Sequence, residues 1–390
     1  PGNKAVYVTR LRLMRSLGFN FVRHHSCIPH DEYLQAADEV GILVQPEAGM
    51  AYIKYWPKAH ELFSKEWPNM VTAFRNHPSI WAWCMGNELF LHQLPEGEAN
   101  PVANTADAAT QPGKTAFTRQ DALQLVERAY HQAKQLDPTR LVHTSDGGDP
   151  LCWTDIESPH AQPEKWEAFT PKPRLLHEYG NYCCSLPDFS LIPRLDGVIR
   201  PLTYERAQAY VKKHNLEAVY ARLYHSSLAM RADAQKSYLE AARVNNNSGY
   251  SFWLGIDFPE SPEGCWDEGI LNQLWEPKPG LTDGLTDITG PTVLVTDAGI
   301  ESRSFHSDEP KAVGLSVSHY GSQPLENAHV LWQLKDGETL LKQGELPAIN
   351  CGLGEVKPIG DIVIPALGSD IPRFIRLQCE LWQGSDRVTK

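Results

Sequence analysis

From Val6 to Leu254 one unit recurs: an amphipathic helical stretch, a glycine or proline stop, then a short apolar run ending in polar residues. Val6 to Leu17 carries Val8, Leu11, Leu13, Met14 and Leu17 at helical spacing, and Gly18 closes it as a helix cap does. Phe19 to Arg23 then reads as a strand running into His24 and His25. Asp31 to Gly41 is a second helix with the same stop, and Ile42 to Pro46 is a strand finishing at Glu47. A third helix, roughly Leu62 to Arg75, leads through Asn76-His77-Pro78 into the apolar run Ile80 to Met85 and then Gly86-Asn87-Glu88. Such alternation writes a parallel sheet with its helices outside.

The pattern continues with a helix over Arg119–Leu136 and a strand over Leu141–Thr144 that ends near Asp146. A short strand around Thr154–Ile156 runs into Glu157 and His160, and Arg174–His177 runs into Glu178 and Tyr179. After a long helical insertion, roughly Tyr204 to Val244, Gly249–Leu254 makes a final strand containing Trp253. Counted from Phe19, these are about seven strands, so the expected fold is α/β, a (β/α)8 TIM barrel whose first strand precedes Pro1. An unpaired gap in a closed barrel predicts a longer native protein, with further N-terminal domains, and a poorly soluble or inactive segment when these residues are expressed alone. From about Leu281 no helix intervenes between β-runs such as Val313–His319, Val330–Leu334, Asp361–Ile364 and Phe374–Leu381. That texture predicts an all-β immunoglobulin-like sandwich, dividing the chain into a barrel over 1–285 and a sandwich over 286–390.

A net charge of −12 argues against a nucleic-acid partner, which needs a dense Lys/Arg face. No apolar run is long enough to cross a bilayer. The eight cysteines show neither CxxC spacing nor histidine pairing, so they read as free thiols, with no disulfide framework, no metal site and no cofactor expected. Periplasmic, extracellular and cytoplasmic settings all stay open, as does the oligomeric state.

The C-terminal strand ends of such a barrel face its mouth. Glu88, behind a buried strand and beside Asn87, is therefore placed to have its pKa raised toward that of a general acid. Glu178 ends a second, similarly built stretch. Arg23, His24, His25, Glu47, Asp146, Tyr179 and Trp253 occupy comparable positions, with Trp253 either a floor under a sugar ring or barrel core. Tyr179 is a partner for Glu178 or core, and His160 and His177 are pocket residues or packed histidines.

Leu17-Gly-Phe-Asn-Phe-Val-Arg23, Ala37-Asp-Glu-Val-Gly-Ile-Leu-Val44, Phe74-Arg-Asn-His-Pro-Ser-Ile80, Gly86-Asn-Glu88 and His177-Glu-Tyr-Gly180 together resemble glycoside hydrolase family 2. This is the group of β-galactosidases, β-glucuronidases and β-mannosidases. The resemblance implies that Glu88 is the acid/base, Glu178 the nucleophile, and Asn87 the partner of the hydroxyl beside the anomeric carbon. Cleaving an acetal needs a proton donor for the leaving oxygen and a carboxylate for the oxocarbenium-like centre. In retaining enzymes the two carboxyls stand about 5–5.5 Å apart. Arg23 is the cation expected to keep Glu178 ionised.

One of His24 and His25 is expected to line the pocket, and Glu47 and Asp146 to hold sugar hydroxyls or support other residues. The Asn-x-Lys pair typical of family glucuronidases is missing, while Arg23-His-His-Ser-Cys27 departs from galactosidase wording. The expected substrate is a carbohydrate, a terminal β-galactoside on an oligo- or polysaccharide. The alternatives are another sugar specificity of the same family, glucuronide included, and a barrel that binds carbohydrate without turning it over.

Overall fold

The computed structural model describes residues 2–50, 59–97, 117–145, 147, 153–160, 171–180, 184–197, 200–245, 247–257 and 267–390. They form two compact units, Pro1–Tyr179 with Asn247–Phe252, and Gly180–Asn246 with Trp253–Lys390.

In the first unit, helices α1 (Lys4–Ser16), α2 (Asp31–Val40), α3 (Ala59–Phe74) and α4 (Arg119–Leu136) alternate with strands β1 (Phe21–His24), β2 (Leu43–Pro46), β3 (Ala82–Cys84), β4 (Leu141–His143) and β5 (Leu175–Tyr179), and β6 (Gly249–Phe252) joins from later in the chain. The helix ends follow from local chemistry. The Asn3 side chain accepts from the Ala5 N–H to start α1, Thr118 and Asp121 form a capping box on α4, and α2 stops at Gly41, where φ is +73°.

All strand pairs in this unit are parallel: β1 with β2, β3 with β4, β5 with β6. Bridges Val44–Ile80 and Glu47–Cys84 join β2 to β3, and Glu157–Arg174 and His160–His177 tie the 157–160 segment to β5. That segment, expected as a strand around Thr154–Ile156, makes isolated bridges displaced toward its C-terminus instead of a continuous ladder. Asp155 explains part of this: its N–H bonds the Val142 carbonyl, but its side chain accepts from Val142 N–H and Tyr130 Oη, so local pairing takes over from the ladder.

The core holds Trp67, Trp83, Ile42, Val44, Met50 and Met85. Around it the recurring sequence motifs act as clamps. His77 Nδ1 lies 2.7 Å from Asp38 Oδ2, and the Ser79 N–H donates to Asp38 Oδ1 at 3.0 Å, so the segment before β3 is locked onto the end of α2. Arg140 donates to the Ile80 and His77 carbonyls and to Asp137, which also accepts from Trp83 Nε1 at 3.0 Å. Burial pushes the Asp137 carboxyl up, but donors from Thr139, Trp83 and Arg140 outweigh it and hold it at about 2.

The second unit begins with the short helix α5 (Ile192–Leu195), then α6 (Leu202–Lys213) and α7 (Glu217–Val244). The stretch expected as one helical insertion is broken at His214–Leu216, where Asn215 takes φ +54°, a conformation asparagine tolerates. The strands that follow are β7 (Thr292–Thr296), β8 (Lys311–His319), β9 (Leu325–Asp336), β10 (Thr339–Cys351), β11 (Glu355–Ile364), β12 (Ile375–Gln383) and β13 (Asp386–Thr389). They form two antiparallel sheets, β10-β9-β12-β13 and β11-β8-β7, that feed one core around Leu294, Val317, Val330, Trp332 and Leu381. β10 carries little apolar signal because it is an edge strand, with only Leu346 and Cys351 buried along it.

The same unit buries an ion pair. Lys278 Nζ donates to Asp257 Oδ1 at 2.7 Å, to Ser185 Oγ at 3.0 Å and to the Asp267 carbonyl at 3.1 Å. Among the described residues no helix is long and apolar enough to cross a membrane.

Candidate active site

The site is built where β1, β2, β3 and β5 end. Gly86 is required there: a Cβ at this position would stand 1.7 Å from the Met50 carbonyl oxygen. Two residues later Glu88 takes φ +46°, and at the end of β5 Glu178 takes φ +48°. Left-handed backbone costs a residue with a side chain about 1–2 kcal/mol, and such strain collects where chemistry needs an orientation the strand would not give. Here it turns two carboxylates toward each other. Oxygens of Glu88 and Glu178 and the Nδ1 of His160 all lie within 4.8 Å of one another.

Arg23 fixes this group. Its Nη1 donates to Glu178 Oε1 at 3.0 Å, its Nε to Glu47 Oε2 at 2.9 Å, and its Nη2 to Asn87 Oδ1 at 2.7 Å. The guanidinium side chain is only 4% exposed, so these ionic bonds are little screened by solvent. His25 Nε2 adds a contact at 3.4 Å to Glu178 Oε1. Burial alone would raise the Glu178 carboxyl; His25, His160 and Arg23 outweigh it and hold it below the usual carboxylate range. Glu47, itself fully buried, accepts from Arg23 and from the Ser26 N–H and hydroxyl, so it supports the arginine.

The structure separates the two neighbouring histidines. His25 reaches Glu178, whereas His24 packs edge-on against Tyr33 with ring centroids 4.4 Å apart, and burial, aided by His30, lowers its pKa to about 4. Tyr179 is fully buried and offers no surface to a ligand. His177 is also interior, stacked on His143 with its Nε2 3.1 Å from Gln45 Oε1. Trp253 belongs to the second unit, where its indole N–H donates to Glu268. Asp146 lies outside the described residues.

His160 is the residue whose weight the sequence understated. Its Nδ1 is 3.0 Å from Glu88 Oε1 and 3.4 Å from Glu178 Oε2. The available signal was its place at a strand end, the same place that singled out Glu178. The cluster of Glu88, His160 and Glu178 is tight enough to meet a cation. With the Arg23 guanidinium already bound to Glu178, the positive charge at this carboxylate is built in, and the set reads as one that handles protons. A cavity of about 780 Å³ lies in the second unit between α6, α7 and Phe189. Its lining includes Tyr220, Tyr224, Asp188 and Glu205, and Glu205 is an exposed carboxylate paired with Arg200 at 3.3 Å.

Residues 3–187 match the TIM barrel domain of the glycosyl hydrolases family 2, over the stretch that carries both glutamates. The match covers a little under half of the chain, which over that stretch is similar to the barrel domain of this family. A β-galactosidase of Enterobacter cloacae is 25% identical over 370 residues, covering 89% of this chain and 31% of that protein. The β-galactosidase BoGH2A of Bacteroides ovatus is 28% identical over 149 residues, 34% of this chain and 17% of that one. The chain thus spans less than a third of the length of either curated relative.

Among solved structures, the exo-chitosanase CsxA of Amycolatopsis orientalis superposes with a TM-score of 0.63 at 13% identity, over 100% of this chain and 46% of that one. A β-D-mannosidase of Dictyoglomus thermophilum gives 0.59 at 13% identity, over 99% and 47%. At such identities the likeness speaks to fold, and with the family match it makes the strand–helix alternation a TIM barrel. Residues 309–388 match a domain of unknown function.

Proposed function

We propose that this chain is the catalytic part of a retaining exo-β-glycosidase acting on a terminal β-galactoside of an oligo- or polysaccharide. The observation that carries the reading is the pair of carboxylates, with oxygens within 4.8 Å of each other and only one of them, Glu178, gripped by Arg23. A separation near 5 Å leaves no room for a water between a carboxylate and the sugar, and so favours direct attack over inversion. Glu178, kept ionised by Arg23 and His25, attacks the anomeric carbon. Glu88, the more exposed of the two, gives its proton to the leaving oxygen and later takes one from water. Asn87, oriented by Arg23, is the partner for the hydroxyl beside the anomeric carbon.

The galactoside choice rests on the two relatives named as β-galactosidases and on the missing Asn-x-Lys pair. The family-wide uses of this fold keep other terminal sugars as alternatives. We assign residues 1–285 to the barrel and 286–390 to an immunoglobulin-like sandwich, supported by the two antiparallel sheets that share a core.

The test is a panel of 4-nitrophenyl β-glycosides given to the full-length protein, with the first-formed anomer read by proton NMR. Release fastest from the galactoside, with the β anomer appearing first, is the expected result. A first-formed α anomer would overturn retention, and sugar binding without release from any glycoside would overturn the enzyme reading.

A further inference from the structure

We infer that His160 is a positioning residue that shares one N–H between the two carboxylates and passes it to whichever bears the negative charge in each half of the reaction. The inference rests on the double-displacement reading above. Its basis is geometric. A single ring nitrogen, Nδ1, stands 3.0 Å from Glu88 Oε1 and 3.4 Å from Glu178 Oε2. The other nitrogen, Nε2, is buried and has no hydrogen-bond partner among the described residues. A proton on Nε2 would be left unsatisfied, so the neutral ring carries its proton on Nδ1, facing both glutamates.

The ring is held in that place. The His160–His177 bridge and the His177 N–H to Pro159 carbonyl bond, 3.0 Å, fix its backbone against β5. Gly147, at φ +63°, leaves the space it fills: a Cβ there would lie 2.3 Å from Nδ1.

The other groups facing the pair divide the labour. Arg23 and His25 both bond Glu178 Oε1, while Glu47 and Asn87 engage Arg23 and not His160. Glu178 Oε2 lies 3.4 Å from His160 Nδ1 and is the oxygen assigned to the attack. As Oε2 bonds the anomeric carbon, the bond to the leaving oxygen breaks with its electron pair, and the Glu88 proton moves to that oxygen. Glu88 is now ionised and Oε2 is esterified, so the His160 N–H goes wholly to Glu88 Oε1. In the second half Glu88 takes a proton from the attacking water, the ester bond breaks, Glu178 is released ionised, and the N–H is shared again.

The experiment compares His160→Phe, which keeps the ring without the donor, and His160→Gln, which keeps an N–H, with the full-length wild type. The substrate is a 2,4-dinitrophenyl glycoside, whose departure needs no acid. In His160→Phe we expect kcat to fall about tenfold while kcat/KM changes less than about threefold, because the base of the water step, Glu88, loses the N–H that orients it. Azide, which attacks without a base, then restores kcat. The acid limbs of kcat and of kcat/KM both move up by about half to one pH unit, since each ionised carboxylate has lost a donor. His160→Gln lies between the two.

Equal falls in kcat and kcat/KM, with unmoved limbs and no azide effect, would overturn the inference and leave a packing role. Carbon-13 titration of the glutamate carboxyls gives a readout apart from turnover. Both carboxyls titrating higher in His160→Phe supports the shared bond even if the wild type turns over no tested sugar, and unchanged titration refutes it.

Discussion

Two buried acids in this molecule each face a cation, yet their charges respond in opposite directions. Glu178, in the first unit, is held below the usual carboxylate range, while Asp257, in the second, is pushed up to about 7. Burial raises both. Glu178 gathers Arg23 and His25 from one segment and His160 from another. Asp257 has Lys278 and the Gly269 N–H, but a second carboxylate, Asp267, works against it, and its own side chain is fully buried. What makes a burial site functional is therefore the number and sign of the surrounding groups and an opening to solvent. Glu178 has three favourable groups and a small exposed fraction; Asp257 is one of the partners of Lys278, which also ties Ser185 and the Asp267 carbonyl.

The comparison breaks first if activity does not follow Glu178. Glu178→Ala should lose turnover of an activated glycoside by at least about a thousandfold, with partial recovery in azide, whereas Asp257→Asn should stay within about threefold of wild type. Glu88→Ala should slow substrates with poor leaving groups far more than dinitrophenyl glycosides; equal losses on both would remove its acid role.

Next come the cations. Arg23→Met strands two buried carboxylates, Glu47 and Glu178, and should cost about 3–5 kcal/mol in urea unfolding. Lys278→Met strands Asp257, which can take up a proton near neutral pH. Its penalty should shrink when the pH is lowered from 7.5 to 5, and that of Arg23→Met should shrink less, because His25 and His160 still favour the ionised form of Glu178.

A smaller effect concerns pH alone. Asp257 titrates near 7 in the folded chain and near its ordinary 3.8 when unfolded, so the native state holds more protons between those values. Its contribution is therefore full below about pH 4 and is lost as the pH rises to about 7. Asp257→Asn should flatten the stability profile over that window. Asp137 has the opposite sign: held at about 2 against an ordinary 3.8, it contributes roughly 2 kcal/mol above pH 4 that fades as the pH falls toward 2. Asp137→Asn should remove that share, measured by urea unfolding at pH 6.

Much of this was legible in the sequence, because the barrel's grammar is local. Gly41, the helix periods of α1 and α4, and the strand-ending Arg23, Glu88 and Glu178 all follow from spacing that a reader can count. The residues that escaped depend on what lies across the sheet. Nothing in Thr154 to His160 tells that His160 meets two glutamates from other strands, and nothing in Arg23-His-His25 tells which ring turns inward until α2 supplies Tyr33. Tyr179 lies beside Glu178 in the chain, but the left-handed turn at Glu178 breaks the side-to-side alternation that sequence reasoning relies on. β10 hid for a different reason: an edge strand with one wet face has almost no apolar rhythm to count.

The left-handed turn at Glu88 also sets a limit on how sturdy the working protein can be. Replacing Glu88, the less buried of the two acids, with glycine releases about 1 kcal/mol of backbone tension while discarding the carboxyl. The disarmed variant should melt slightly higher than its parent, so heat tolerance and turnover pull against each other at this one residue.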